Sequence, residues 1–117
     1  SAGYTPRHLV LSPDNSVLYI TNNKAGQIRA INPLTDTLIK SVTTGTEPRT
    51  MVISDDGSSL YVVNYQSDTM VKVRTSDMQV IQTVKTGRHP VGITYDAQLH
   101  RVWVANYTGS LWVFEDK

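Results

Sequence analysis

Short apolar runs, each bounded by polar turn residues, recur along the chain. In its middle they cover about residues 48–54, 60–64, 69–73 and 80–84, and they are rich in Val, Ile, Thr and Tyr. Most alternate between apolar and polar positions, as strands with one buried face do. Between them lie segments of Ser, Asp, Gly and Gln, which favour turns. The pattern predicts short β-strands and no amphipathic helix of useful length.

The apolar pattern repeats with a period of about 42 residues. Several positions keep this spacing without a gap: the glycines Gly3, Gly45 and Gly87, the prolines Pro6, Pro48 and Pro90, the asparagines Asn22, Asn64 and Asn106, and the aromatic residues Tyr19, Tyr61 and Trp103. One deletion follows the third asparagine. The chain therefore holds about 2.8 copies of a single structural unit.

Four short strands in a unit of this length predict the blade of a β-propeller. The predicted fold is all-β, with blades of four antiparallel strands called A to D from the axis outwards. The whole chain, 1–117, is one repeat domain, with blade 1 at about 3–44, blade 2 at about 45–86 and blade 3 at about 87–117. Blade 3 has strands A, B and C, at about 91–95, 102–106 and 111–114, and lacks the outermost strand.

Three motifs in fixed order carry a family resemblance. Each unit has Gly-x-x-Pro; the first two continue with Ser-Pro-Asp-Asn or Ser-Asp-Asp-Gly, and then Leu-Tyr-Ile-Thr-Asn or Leu-Tyr-Val-Val-Asn. The third unit has the looser Val-Trp-Val-Ala-Asn. The chain thus resembles the YVTN-repeat β-propellers of bacterial and archaeal surface-layer or secreted proteins, WD40-like in architecture. Because such relatives generally have seven blades, the resemblance implies a C-terminal part of a larger propeller, or an arc that self-associates.

Composition narrows the function classes. Of 117 residues, 39% are hydrophobic and 18% are charged, the net charge is +1, and no cysteine is present. Disulfides and thiolate chemistry are excluded. No apolar run is long enough for a transmembrane helix, so we expect no membrane insertion. The lack of cysteine agrees with an extracytoplasmic location, which the family resemblance also implies.

Candidate ligand-binding residues gather at one end of the predicted blades. The loops D–A and B–C form this end, which we call the top face; the A–B and C–D loops form the bottom face. The bottom collects aspartates, whereas the top is basic and could attract an anionic ligand. The predicted binding residues are Arg7, His8, Arg49, Arg88, His89, Tyr65 and Tyr107, with Tyr4 close by. Arg7 and Arg49 share a repeat position. They are either a guanidinium pair that binds a carboxylate or phosphate, or two solvated side chains.

Other repeated residues have a structural interpretation. Asn22, Asn64 and Asn106 end strand B and are expected to hydrogen-bond the backbone of the B–C turn that follows. Pro6, Pro48 and Pro90 are expected to stand at the start of strand A. The aspartates Asp14, Asp56 and Asp96 are expected to cap the A–B turns. The aromatic residues Tyr19, Tyr61 and Trp103 are expected to pack between blades. His8 and His89 lack carboxylates at ligand spacing, so no metal site is predicted.

No catalytic motif is present, neither GxSxG, HExxH, P-loop nor dinucleotide fingerprint. The resemblance therefore implies a non-catalytic binding or scaffold module for a protein, a glycan or a small anionic ligand, with no cofactor. The alternative is the propeller part of a haem d1- or quinone-type oxidoreductase or cofactor carrier, with Arg7, His8 and Arg49 as candidate contacts. Nucleic acid is not an expected partner, because the top face lacks a dense basic and aromatic surface.

Overall fold

The computed structural model describes residues 5–116, which form eleven β-strands and no helix. In chain order they are β1 (Pro6–Leu11), β2 (Leu18–Asn22), β3 (Gln27–Asn32), β4 (Thr37–Thr43), β5 (Pro48–Ile53), β6 (Ser59–Asn64), β7 (Thr69–Arg74), β8 (Gln79–Lys85), β9 (Pro90–Asp96), β10 (Arg101–Asn106) and β11 (Leu111–Glu115). The predicted strands of the second and third units agree with these bounds to within a residue or two.

The strands form three separate antiparallel sheets. Their orders are β1-β2-β3-β4, β5-β6-β7-β8 and β9-β10-β11, so each sheet is a meander in chain order. The first strand of the middle sheet, β5, contacts the first strands β1 and β9 of the two neighbouring sheets, which makes these three the inner strands. The predicted partial propeller is therefore confirmed, including a third blade without its outer strand.

The A–B turns explain one substitution between the repeats. Asn15 in blade 1 and Gly57 in blade 2 share a repeat position, and their φ angles are 64° and 78°. Glycine and asparagine are the residues that adopt this left-handed conformation most readily. The flanking serines close the same turn in both blades, with Ser12 N bonded to Val17 O and Ser54 N bonded to Ser59 O at 2.9 Å.

Two apolar layers hold the three blades together. The first joins blades 1 and 2 and contains Tyr19, Ile28, Met51, Leu60, Val62 and Val73. The second joins blades 2 and 3 and contains Tyr61, Val63, Met70, Val102 and Val104. Because each blade has two apolar faces, blade 2 is covered on both sides, and its central strand β6 is buried throughout.

One predicted core residue lies outside these layers. Tyr19 and Tyr61 are 4% and 0% exposed, as expected for packing between blades, but Trp103 is 37% exposed. Trp103 lies on the face of blade 3 that points away from blade 2. No further blade covers that face within residues 5–116, so the prediction for Trp103 was wrong in this chain.

Candidate functional site

The asparagine column anchors the loops of the top face. The Asn22 Oδ1 atom accepts a hydrogen bond from the backbone N–H of Thr5 at 3.0 Å. The Asn64 amide donates to the carbonyl of Thr44 at 3.3 Å and to the hydroxyl of Thr69 at 3.2 Å. All three asparagines are buried. The geometry supports the structural interpretation of this column.

A second set of backbone bonds brings neighbouring loops together. In each unit, the residue before the turn proline accepts a hydrogen bond from the residue after the column asparagine. The pairs are Asn23 N to Thr5 O at 3.0 Å, Tyr65 N to Glu47 O at 2.9 Å and Tyr107 N to His89 O at 2.8 Å. The B–C and D–A loops are thereby held side by side, which positions the side chains of the top face.

Three of the predicted binding residues meet between blades 2 and 3. The guanidinium carbon of Arg49 lies 4.5 Å from the centre of the Tyr65 ring. The His89 imidazole is stacked on the same ring, with centres 4.4 Å apart and an angle of 9° between planes. Such a cation–π contact contributes about 0.5–1 kcal/mol where it is exposed. The Arg49–Tyr65–His89 cluster is the best-defined group of side chains on the top face.

Asp68 and the Tyr65 carbonyl orient the histidine of this cluster. The backbone N–H of His89 donates to Asp68 Oδ1 at 2.8 Å, and the Nδ1 atom lies 3.6 Å from the same oxygen. The Nδ1 atom is also 3.1 Å from the carbonyl oxygen of Tyr65. A proton on Nδ1 would satisfy both oxygens. The other ring nitrogen would then be the one available to a ligand.

His8 lies at the seam between the inner strands β1 and β5. Its Nδ1 atom accepts a hydrogen bond from the backbone N–H of Met51 at 3.3 Å, while its own N–H donates to the Thr21 hydroxyl at 2.8 Å. Burial lowers the pKa of His8 below its ordinary value, because desolvation penalises the charged ring. His8 therefore joins two blades as a neutral imidazole, which the sequence did not predict.

The remaining predicted residues stand apart from the cluster. Arg7 and Arg88 are exposed, and Tyr107 is 72% exposed. Arg49 stacks on Tyr65, and the guanidinium pair of Arg7 and Arg49, one of two alternatives from the sequence, stays a hypothesis. Tyr4 lies outside the described residues. Within residues 5–116, no carboxylate lies at ion-pair distance from Arg7, Arg49 or Arg88.

The bottom face contains a buried network that sequence reasoning missed. Lys72 Nζ lies 2.5 Å from Asp116 Oδ1, with the two side chains 15% and 13% exposed. The Tyr61 hydroxyl donates to the other carboxylate oxygen of Asp116. Burial is the main cause that raises the pKa of Tyr61. The repeat did not reveal the ion pair, because the corresponding residues one interface earlier are Ala30 and Thr75, which carry no charge.

Asp14 and Asp56 cap the A–B turns of the bottom face, as the sequence predicted. Asp14 Oδ1 accepts bonds from both Ser12 and Ser16, and Asp56 Oδ1 accepts the same set from Ser54 and Ser58. These bonds lower the pKa of each aspartate to about 2, since they stabilise the ionised carboxylate.

The described part of the chain has no group of three or more His, Asp or Glu side chains close enough to hold a metal ion. Between residues 5 and 116, no helix is long and apolar enough to cross a membrane.

Comparison with known proteins places the fold among propellers. Residues 35–115 match the model of the family described as Lactonase, 7-bladed beta-propeller. No curated protein matches the chain significantly. The YVTN-repeat assignment, a finer statement than a propeller family, stays a prediction.

Solved structures give the same architecture. Hydrazine synthase of Kuenenia stuttgartiensis is 26% identical, with a TM-score of 0.92 over 98% of this chain and 34% of the other. A putative 6-phosphogluconolactonase from Bacteroides fragilis is 24% identical, with a TM-score of 0.83 over 98% of this chain and 36% of the other. The dihydro-heme d1 dehydrogenase NirN, in complex with DHE, is 17% identical, with a TM-score of 0.72 over 96% and 28%. The chain thus spans about a third of the length of these proteins.

Proposed function

Because the chain belongs to the family of seven-bladed lactonase β-propellers, we propose that its three blades form part of the ligand-binding face of such a propeller. The ligand carries a carboxylate or phosphate group and binds at the top face, near the inner strands. The observation that carries this proposal is the Arg49–Tyr65–His89 cluster. The chain itself acts as a binding module rather than as a catalyst.

The chemistry of the cluster favours an anion. Arginine presents a planar set of N–H donors that matches carboxylate and phosphate oxygens. Stacking on Tyr65 restricts the guanidinium, which lowers the entropy lost on binding. No carboxylate among the described residues neutralises Arg49, so its charge is available to a ligand. Arg7 and Arg88 on the same face add a long-range attraction.

A titration with three related sugars tests the proposal. The probes are 6-phosphogluconate, gluconate and glucose, which carry a phosphate and a carboxylate, a carboxylate alone, and neither group. NMR shifts of the labelled chain are followed at low salt. We expect affinity to fall in that order and to weaken with added salt. Shifts should concentrate at Tyr65 and His89.

Two matched substitutions locate the site. Arg49→Gln removes the guanidinium and should weaken 6-phosphogluconate binding about tenfold or more, as expected for the loss of charge-assisted hydrogen bonds. Arg101→Gln removes an arginine of the bottom face, which pairs with Glu115 at 2.7 Å, and should leave binding unchanged. Equal binding of glucose, or equal effects of the two substitutions, would refute an anion site at the cluster.

Catalysis is tested in the same samples. The family description names a lactonase, and a sugar lactone is the ring-closed form of the proposed type of ligand. Ring opening of gluconolactone is compared with its rate in buffer alone. An unchanged rate supports a binding module, whereas an acceleration that Arg49→Gln removes would assign an enzyme instead.

A second candidate is a cofactor-holding propeller, with Arg7, His8 and Arg49 as contacts. The observation that favours it is the likeness to hydrazine synthase and to NirN, which is described in complex with DHE. A visible absorption band in a protein that carries the full propeller would support this role. Colourless full-length protein would argue against it.

An extracytoplasmic location also stays a prediction, which fractionation of the source cells would test.

A further inference from the structure

An aromatic side chain crosses each of the two interfaces between blades near the bottom face. The Tyr61 hydroxyl of strand β6 donates to Asp116, which follows strand β11 of the next blade. Burial raises the pKa of Tyr19 of strand β2, and a hydrogen bond with the side chain of Thr75, which follows strand β7 of the next blade, opposes that rise. In both interfaces a polar residue of the next blade therefore lies near the aromatic hydroxyl.

The two polar partners occupy equivalent backbone positions. Thr75 N donates to the carbonyl of Ser58 at 3.0 Å, and Asp116 N donates to the carbonyl of His100 at 2.8 Å. Ser58 and His100 are one repeat of 42 residues apart. In each case an aromatic hydroxyl of one blade reaches the first residue after the third strand of the following blade.

Trp103 is the third member of the aromatic column, but it faces solvent. It is 37% exposed, and its neighbours Leu111 and Val113 are 70% and 42% exposed. The residue that corresponds to Leu111 in blade 2 is Met70, which is 1% exposed. The face also has a groove of about 240 Å³, lined by Gly92, Thr94, Trp103, Ala105 and Leu111. This face has the aromatic residue and the apolar side chains of the two formed interfaces, but no blade within residues 5–116 covers it.

We propose that this face of blade 3 receives a further blade whose third strand is followed by a residue with a hydrogen-bond acceptor. The indole N–H of Trp103 donates to that acceptor, as the hydroxyl of Tyr61 does to Asp116 across its own interface. Asp, Asn, Ser or Thr at that position fits, because the link needs a short polar side chain. The proposal identifies the partner by chemistry that can be read in a sequence.

A second copy of this chain fits the same face poorly. Its exposed blade 1 would supply Pro33 where the link needs an acceptor, and proline has none in its side chain. It would also place Arg29 where blade 2 has Val71, which is 1% exposed in the apolar layer. An arginine is much larger than a valine, and overpacking a filled layer destabilises it. The occupant is therefore a different blade of the same repeat type.

An extended chain tests the proposal directly. The chain is continued after Lys117 with a copy of residues 77–86, which completes blade 3, and then with a copy of residues 45–86. That second copy supplies Thr75 as the acceptor. A matched control carries Thr75→Val in the appended copy only. Hydrogen exchange of the Trp103 indole is read by NMR and assigned with Trp103→Phe.

We expect the appended blade to slow exchange of the Trp103 indole at least tenfold, and the Val control to lose most of that protection while the ring stays buried. A further version with Thr75→Asp in the appended copy reproduces the observed Tyr61–Asp116 pair. If neither acceptor protects the indole, or if the Val control protects it equally, the proposal is wrong. A dimer of the unextended chain with a protected Trp103 would also overturn it, in favour of a second copy.

Discussion

Gly87 lies so close to the side chain of Asn106 that a Cβ atom on Gly87 would stand 2.6 Å from its Nδ2 atom. Gly45 and Asn64 have the same relationship in blade 2, with 2.8 Å to the amide carbon. In blades 2 and 3, the glycine and the asparagine of the repeat therefore form one packing unit. The asparagine bonds the turn only because the glycine leaves room for its amide.

We expect Gly87→Ala to destabilise the protein by about 1–3 kcal/mol, the usual cost of overpacking a filled site. Chemical denaturation measures this change. Gly92→Ala is the matched control, since a Cβ there would meet its nearest neighbour at 3.6 Å. In a double-mutant cycle, Asn106→Ala should relieve part of the Gly87→Ala penalty. Additive effects of the two substitutions would contradict the proposed packing unit.

Acid should weaken the A–B turns. Hydrogen bonds lower the pKa of Asp14 and Asp56 to about 2 in the folded chain, whereas an unfolded aspartate titrates near pH 4. The stabilisation is complete above the unfolded value and is lost as the pH falls towards 2. Asp56→Asn should flatten this part of the stability profile, measured by denaturation at several pH values. The neighbouring, exposed Asp55→Asn is the control, and an identical flattening by both would refute the explanation.

His8 predicts a second pH dependence, at higher pH. Burial lowers its pKa below 6.5 in the folded chain, so the unfolded chain binds its proton first. Stability is therefore complete above pH 6.5 and declines as the pH falls below it. Protonation also removes the acceptor for Met51 N–H. His8→Gln, which keeps an acceptor without a titrating ring, should abolish this decline, and a decline that persists in the variant would assign it to another group.

Breaking the Lys72–Asp116 pair should destabilise the chain far more than breaking an exposed pair. Removing one partner leaves the other charge unpaired where the two side chains are only 15% and 13% exposed, and breaking a fully buried pair costs about 3–5 kcal/mol. Asp116→Ala tests this by thermal or chemical denaturation. Asp77→Ala is the control, because its partner Arg74 is 50% exposed at the side chain and such pairs contribute less than about 1 kcal/mol. Equal losses would show that burial does not decide the strength of the pair.

Much of the fold could be predicted because each strand depends on its own local pattern. Alternating apolar positions predict a strand with one buried face, and Gly57 or Asn15 predicts a left-handed turn. The repeat then identifies the blades. Trp103 shows the limit of this argument. Its column predicts burial, but burial depends on a neighbouring blade that the column position alone does not supply.

The candidate site was predicted only in part. Its residue types were correctly identified, since Arg49, Tyr65 and His89 were all among the candidates, but their contact was not. Tyr65 and His89 are 24 residues apart, and no spacing rule within a single repeat relates them. Arg7 and Tyr107 were equally good candidates for ligand binding from the sequence, but they lie apart from the cluster.

By itself, the sequence determined the strands, the turns and the 42-residue unit. These follow from backbone geometry and from residues close together in the chain. Only the tertiary structure decided that Lys72 pairs with Asp116, that Gly87 fits against Asn106 and that Arg49 stacks on Tyr65. The physical reason is distance along the chain, since such side chains meet only when separate sheets pack and close-packing admits few arrangements.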